Sequence, residues 1–150
     1  MATWAIIELT PDQTHALRRR VLRSGTPSAD VRVEGDDDAL HLAAVRAEHP
    51  DTIVGVATWM PEPFPDEPGR PAWRLRGMAT APEVRGQGAG VALVRAGLAR
   101  ASEGGIELIW ARARLGAVSF YEQLGFEAVG PVYVTAETGI DHRTIVRRDF

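Results

Sequence analysis

Three glycines alternate at Gly86, Gly88 and Gly90 within Arg85-Gly86-Gln87-Gly88-Ala89-Gly90, and this spacing is the feature of the chain best suited to chemistry. Glycine admits backbone conformations closed to other residues and lets a ligand approach the main chain. A helix beginning near Gly88 would leave the N–H groups of its first turn unpaired and would add the partial positive charge of its dipole. Turn and helix start together make an anion site. Arg85 at its rim supplies a charge-assisted hydrogen bond. On the hexapeptide alone, a glycine-rich connection that binds nothing stays open.

Two phosphate-binding signatures do not fit. A Walker A loop needs Gly-Lys-Ser/Thr, and the chain has no lysine. A dinucleotide fingerprint counted from Gly86 needs a small residue where Val91 stands, and counted from Gly88 it needs glycine where Leu93 stands. All 17 basic residues are arginine, so no lysine serves as nucleophile or base. Cysteine is absent, which removes disulfides, thiolate metal sites and a cysteine nucleophile. No His/Asp/Glu set has metal-ligand spacing, so no metal is expected. A net charge of -3 argues against a nucleic-acid partner. No apolar run approaches the roughly 18–20 residues of a membrane span. Met1-Ala2-Thr3-Trp4 has no basic region leading into an apolar stretch, so no secretory signal is read and a cytoplasmic protein is expected.

The elements that must position the turn follow from periodicity and breakers. The 150 residues, 45% of them hydrophobic, suit one domain over 1–150. Residues 3–9 read as a strand. Thr10 then caps a helix that has Pro11 at its first position, Leu17, Val21 and Leu22 as its apolar stripe, and a stop at Ser24-Gly25-Thr26-Pro27. Residues 28–38, ending in Asp36-Asp37-Asp38, read as a polar loop. Strands are expected over 40–47 and 53–60 as a hairpin turning near Asp51. Five prolines between Pro61 and Pro71 give a surface loop. A fourth strand spans 73–80, with Gly77 marking a bulge or a close backbone approach. The glycine turn leads into a helix to Glu103, closed by Gly104-Gly105. A fifth strand over 106–111, a short helix over 117–124 capped by Gly125, and strands over 126–135 and 143–148 complete an α/β (α+β) order, β-α-β-β-β-α-β-α-β-β.

Two segments carry a family resemblance. Met78-Ala79-Thr80-Ala81-Pro82-Glu83-Val84-Arg85-Gly86-Gln87-Gly88-Ala89-Gly90 resembles the central motif of the GNAT N-acetyltransferase superfamily: a strand, a Pro-Glu turn, then Gln/Arg-x-x-Gly-x-Gly/Ala opening a helix. Ala117-Val118-Ser119-Phe120-Tyr121-Glu122-Gln123-Leu124-Gly125-Phe126 resembles the family's Ala-x-x-Phe-Tyr-x-x-x-Gly-Phe segment, one strand downstream as it should be. Two motifs in register are far more specific than either alone. The resemblance implies a mixed, mostly antiparallel seven-stranded sheet flanked by helices, with strands 4 and 5 splayed around acetyl-CoA as co-substrate. It implies a pantetheine arm against Met78, Ala79 and Thr80, and a pyrophosphate on the amides of Arg85, Gly86, Gln87, Gly88, Ala89, Gly90 and Val91.

The implied reaction is acetyl transfer to a primary amine, with a small-molecule acceptor favoured. An alkyl amine of pKa ~10 is mostly protonated at neutral pH, so a base or water chain must take its proton. A strand amide, Met78 or Thr80, can hold the oxyanion. The family's usual acid, the tyrosine of the short helix, maps onto Tyr121, although an aromatic at helical spacing also suits the core. Two residues stand as bases. Glu62 follows the third strand and reads equally well as a solvated carboxylate. His142 lies in Thr138-Gly139-Ile140-Asp141-His142-Arg143, read as the turn before the last strand; similar Gly-Ile-Pro-His segments mark a subgroup of the family that also resembles the chain over Leu17–Arg23, with Asp141 here replacing proline. Arg112 and Arg114 end the fifth strand and suit an acceptor carboxylate, a CoA phosphate or plain solvation. His15, His41 and His49 read as structural. A protein amine, a larger acyl group, a non-catalytic acyl-CoA sensor and a homodimer all stay open.

Overall fold

The computed structural model describes residues 3–22, 31–136 and 138–150. Seven strands, β1 (Trp4–Leu9), β2 (Leu40–Arg46), β3 (His49–Pro61), β4 (Ala72–Thr80), β5 (Leu108–Arg114), β6 (Glu127–Val134) and β7 (Asp141–Arg148), form one sheet in the order β1-β2-β3-β4-β5-β7-β6. The pairs β1–β2, β2–β3, β5–β7 and β6–β7 are antiparallel and β4–β5 is parallel. Helices α1 (His15–Leu22), α2 (Ala89–Glu103) and α3 (Val118–Glu122) flank the sheet. This is the mixed, mostly antiparallel α/β architecture that the family resemblance implies. Among the described residues no helix is long and apolar enough to cross a membrane.

The chain divides into two compact units, Met1–Pro61 with Leu75–Arg100, and Glu62–Arg74 with Ala101–Phe150. In the first, residues 54–60 of β3 are all buried, which is the burial of a strand covered on both faces. Helix α2 packs on β3 through two glycine contacts. A Cβ at Gly55 would come within 2.9 Å of Leu93 Cδ1, and one at Gly97 within 2.0 Å of the Trp59 ring. The pairs 55/59 and 93/97 share one spacing, so a small residue on each element receives a large one from the other. Gly97 costs about 1 kcal/mol of helix propensity. Complete burial of the Trp59 indole beneath it offsets that cost. In the second unit Phe64, Ala72, Leu108, Trp110 and Val146 form a core.

Several boundaries differ from the sequence reading. Thr10 and Pro11 open a 3₁₀ turn, Pro11–Thr14, and only then does α1 begin; the Thr10 N–H donates to Gln13 Oε1 at 2.8 Å. The β2–β3 hairpin turns at residues 47–48, not near Asp51, because register shifts between Ala44, Val45 and Arg46 let β3 pair back to His49. The 61–71 segment is not wholly a surface loop, since Phe64 is buried against Trp110 with ring centroids 5.5 Å apart. Strand β5 starts two residues later than expected and runs to Arg114, held by the Arg114↔His142 rung. His142 therefore sits inside β7, not in a turn before it. The expected stop at Ser24–Pro27 lies outside the described residues, as does Arg23.

Candidate active site

The glycine turn stands between β4 and α2, within the first unit. Gly86 and Gly88 both take positive φ, +77° and +91°. A side chain in that region is strained by about 1–2 kcal/mol, so the sequence selects glycine. A Cβ at Gly86 would meet nothing within 4 Å, and one at Gly88 would meet only Trp4 Nε1 at 3.7 Å. Residues 85–88 are exposed, so their backbone is open to a ligand. The first bond of α2 runs from the Ala92 N–H to Gly88 O at 3.0 Å. The amides of Ala89, Gly90 and Val91 precede it and belong to the unpaired first turn. The Arg85 and Gln87 amides instead make long bonds to Pro82 O and Val84 O, 3.3 and 3.2 Å. Two of the seven amides of 85–91 are therefore already engaged within the turn itself.

Residues that the sequence reading passed over brace this turn. Trp4 Nε1–H donates to Gln87 O at 2.8 Å. Arg46 donates to Gln87 Oε1 at 3.2 Å and lies over the Trp4 ring at 5.5 Å. The Gln87 amide nitrogen donates back to Glu83 O at 3.3 Å. Gln87 is thus gripped from β1, β2 and its own turn. The Arg20 guanidinium pairs with both oxygens of Glu83 at 3.0 and 2.6 Å and holds that carboxyl below the usual glutamate range.

Met78, Ala79 and Thr80 close β4 ahead of the turn, with Ala79 buried. The Ala81 N–H donates to Val54 O at 2.8 Å, which ties this end of the strand to β3. Gly77 takes φ +59°, and a neighbouring side chain closely approaches its backbone. Against it lies Arg18, which is 1% exposed and was not singled out in the sequence. Its Nη1 and Nη2 donate to Asp36 Oδ2 and Oδ1 at 2.7 and 3.0 Å, and Nη2 also donates to Thr58 Oγ1 at 2.6 Å. The run Asp36-Asp37-Asp38 is therefore not a uniform solvated face: Asp36 is buried, while its two neighbours are exposed. His41, read as structural, is held on both ring nitrogens, by Thr58 Oγ1 at 2.8 Å and Asp36 O at 2.7 Å.

The ladder between β4 and β5 has three rungs, Ala72↔Leu108, Trp73↔Ile109 and Arg74↔Trp110, although β4 runs on to Thr80 and β5 to Arg114. The three candidate catalytic residues fall in the second unit. Tyr121, on α3, is 6% exposed and edge-on to Phe120 and Phe126, with centroids 5.0 and 5.6 Å away. Burial alone pushes its phenol above the ordinary tyrosine range, so it stays protonated at neutral pH. Glu62 is bound to Arg74, whose Nη1 donates to Oε2 at 3.0 Å, and its carbonyl accepts from Trp110 Nε1 at 3.0 Å. His142 is 6% exposed and stacks on Tyr133 at 6.2 Å. Its Nδ1 lies 2.7 Å from Ile140 O; a carbonyl only accepts, so Nδ1 carries a proton, and in the neutral ring Nε2 is the nitrogen with the lone pair. Arg112 is exposed beside Trp110, and Arg114 is paired directly with His142 in the β5–β7 ladder. Among the described residues no three His, Asp or Glu side chains cluster as metal ligands.

Comparison with known proteins agrees with this layout. An uncharacterized N-acetyltransferase of Bacillus subtilis (strain 168), YitI, is 27% identical over 124 residues, 81% of each chain. The crystal structure of a candidate N-acetyltransferase from Lactobacillus plantarum superposes with a TM-score of 0.79 at 23% identity, covering 97% of this chain and 98% of that one. FeeM, an N-acyl amino acid synthase from uncultured soil microbes, superposes with a TM-score of 0.77 at 13% identity, covering 99% and 92%. At these identities the two structures speak for the fold alone. The model of the Acetyltransferase (GNAT) family matches residues 7–126, which takes in the glycine turn and the Tyr121 segment, and the chain belongs to that family.

Proposed function

We propose that the protein transfers an acetyl group from acetyl-CoA directly to the primary amine of a small-molecule acceptor. The observation that carries this reading is the exposed turn with positive φ at Gly86 and Gly88, opening onto the unpaired first turn of α2. A side chain at either glycine would fill the space that a pyrophosphate needs, and the amides of Ala89, Gly90 and Val91 supply donors and the dipole's positive end. Arg85 adds charge at the rim. Met78, Ala79 and Thr80 offer strand backbone to the pantetheine arm, as an added strand would use it.

The co-substrate supplies an acyl group activated as a thioester. The chain must hold the developing oxyanion, take a proton from the acceptor ammonium and give one to the departing sulfur. The N–H of Met78 or Thr80 is suited to the first task. The place of Tyr121 in the 117–126 segment suits it to the last; burial makes the phenol a weaker acid, so its proton goes only to a thiolate that forms beside it. His142 is better placed than Glu62 to act as base, since its Nε2 carries a lone pair while the Glu62 carboxylate is engaged by Arg74. With no cysteine in the chain, direct attack of the amine is the simpler route. The test is thiol release from acetyl-CoA in the presence of an amine panel. Turnover with at least one amine supports the reading, and CoA binding without turnover for any of them refutes it.

A further inference from the structure

One face of the second unit carries charge that the fold leaves unmatched. Arg74 and Trp110 are partners in the parallel β4–β5 ladder, and Arg112 follows Trp110 by two residues, so all three share a sheet face. The guanidinium carbons of Arg74 and Arg112 lie 4.9 and 5.8 Å from the Trp110 ring centroid. Both cations therefore rest on one buried indole. Arg74 is neutralised by Glu62, yet its Nε–H is buried and has no partner. Arg112 is exposed and, among the described residues, has no carboxylate partner. The cluster of one carboxylate and two guanidiniums thus presents one net positive charge. The next rungs carry Thr144 opposite Arg112 and His142 opposite Arg114. Thr144 is fixed by the Tyr133 hydroxyl at 3.2 Å. Two residues along a strand span about 7 Å, so the rungs of Arg112 and His142 are neighbours on that face.

We infer that this face binds the acceptor, and that the acceptor is an amino acid whose carboxylate is read by Arg112. The inference rests on the transferase reading above. An exposed guanidinium held over an indole by a cation–π contact is a preorganised carboxylate receptor. Arg112, with no carboxylate partner among the described residues, matches a carboxylate. The lone pair of His142 one rung away meets the need for a base near an amine that lies a few bonds from the carboxylate. Arg112 selects the substrate class, and Trp110 with Arg74 holds it in position.

The test pairs each of the 20 standard L-amino acids with its carboxamide in the thiol-release assay. Saturation-transfer NMR of the same amino acids in the presence of CoA runs alongside it. At least one amino acid should bind, and its kcat/KM should exceed that of its carboxamide by about tenfold or more. Arg112→Gln should bring that ratio close to one, mainly through a higher KM for the amino acid. Its circular dichroism should not change, because Arg112 is exposed. Amino-acid binding that depends on Arg112 without thiol release would support the site and refute the transferase reading. Equal rates for amino acids and amides, no amino-acid binding, or indifference to Arg112→Gln would overturn the inference, while turnover of neutral amines would leave the transferase reading standing. Arg112→Gln weakening acetyl-CoA but not its 3′-dephospho form would also overturn it, by assigning Arg112 to a cofactor phosphate.

Discussion

The guanidinium of Arg18 lies so close to the backbone of Gly77 that a Cβ at residue 77 would stand 2.8 Å from Arg18 Nε and 3.3 Å from Cζ. Asp36 and Thr58 anchor the guanidinium from the other side, so it cannot easily retreat. Gly77 also holds φ +59°, which strains any other residue. Gly77→Ala should therefore destabilise the protein by about 2–5 kcal/mol, from overpacking and backbone strain together. A urea denaturation midpoint equal to wild type would show that Arg18 does not constrain this strand.

The Arg18–Asp36 pair makes stability depend on pH. Burial raises the Asp36 carboxyl, but hydrogen bonds from Arg18 and the Val33 N–H, with the charges of Arg18 and His41, outweigh it and leave the group below its usual range. A depressed carboxyl contributes stability that is intact above its unfolded value of about 4 and is lost as pH falls through the folded value. Asp36→Asn strands a buried guanidinium and should cost about 3–5 kcal/mol at pH 7. The gap between wild type and variant should narrow below about pH 4. A gap constant from pH 6 to pH 3 would contradict the ionised pair.

How far these features can be read from sequence depends on whether their cause is local. The glycine turn, the strand before it and the helix after it announce themselves because glycine spacing, Pro82 and apolar periodicity act over a few residues. The Arg18–Asp36 pair is 18 residues apart in the chain. Its one local trace is that Arg18 falls on the face of Thr14, Leu17 and Val21, a core position for a charged residue. Nothing within Asp36-Asp37-Asp38 tells which aspartate is buried. Trp4 and Gln87 are 83 residues apart, so no spacing could have joined them. Strand ends shifted for a related reason: the register of a partner strand, as at Arg114↔His142, sets them more than composition does.

Trp4→Phe removes the indole N–H that holds Gln87 O while keeping an aromatic beneath Arg46. Loss of one such bond is worth about 0.5–1.5 kcal/mol. CoA affinity should fall by about 2- to 10-fold with little change in melting temperature. Unchanged affinity would mean that the turn needs no brace from β1.

Tyr121→Phe keeps the edge-on packing with Phe120 and Phe126 and removes only the hydroxyl. A positioned acid contributes about 10²–10⁴-fold to rate. Turnover should fall toward that range while CoA affinity holds. Because burial raises the phenol, wild-type stability is complete below about pH 10 and declines above it, where the unfolded tyrosine ionises first. Tyr121→Phe should abolish that part of the decline. Full activity in the variant would remove Tyr121 from the mechanism.

The central claim is that the 85–91 turn holds the pyrophosphate of CoA, and calorimetric titration of CoA into wild type and Gly88→Val tests it most directly. At φ +91°, and with only Trp4 Nε1 within 4 Å, the added side chain would occupy the ligand's approach, not the core. Wild type should bind CoA saturably, and the variant should lose about 100-fold or more in affinity while still melting cooperatively. Equal affinity for CoA in the two proteins would contradict it.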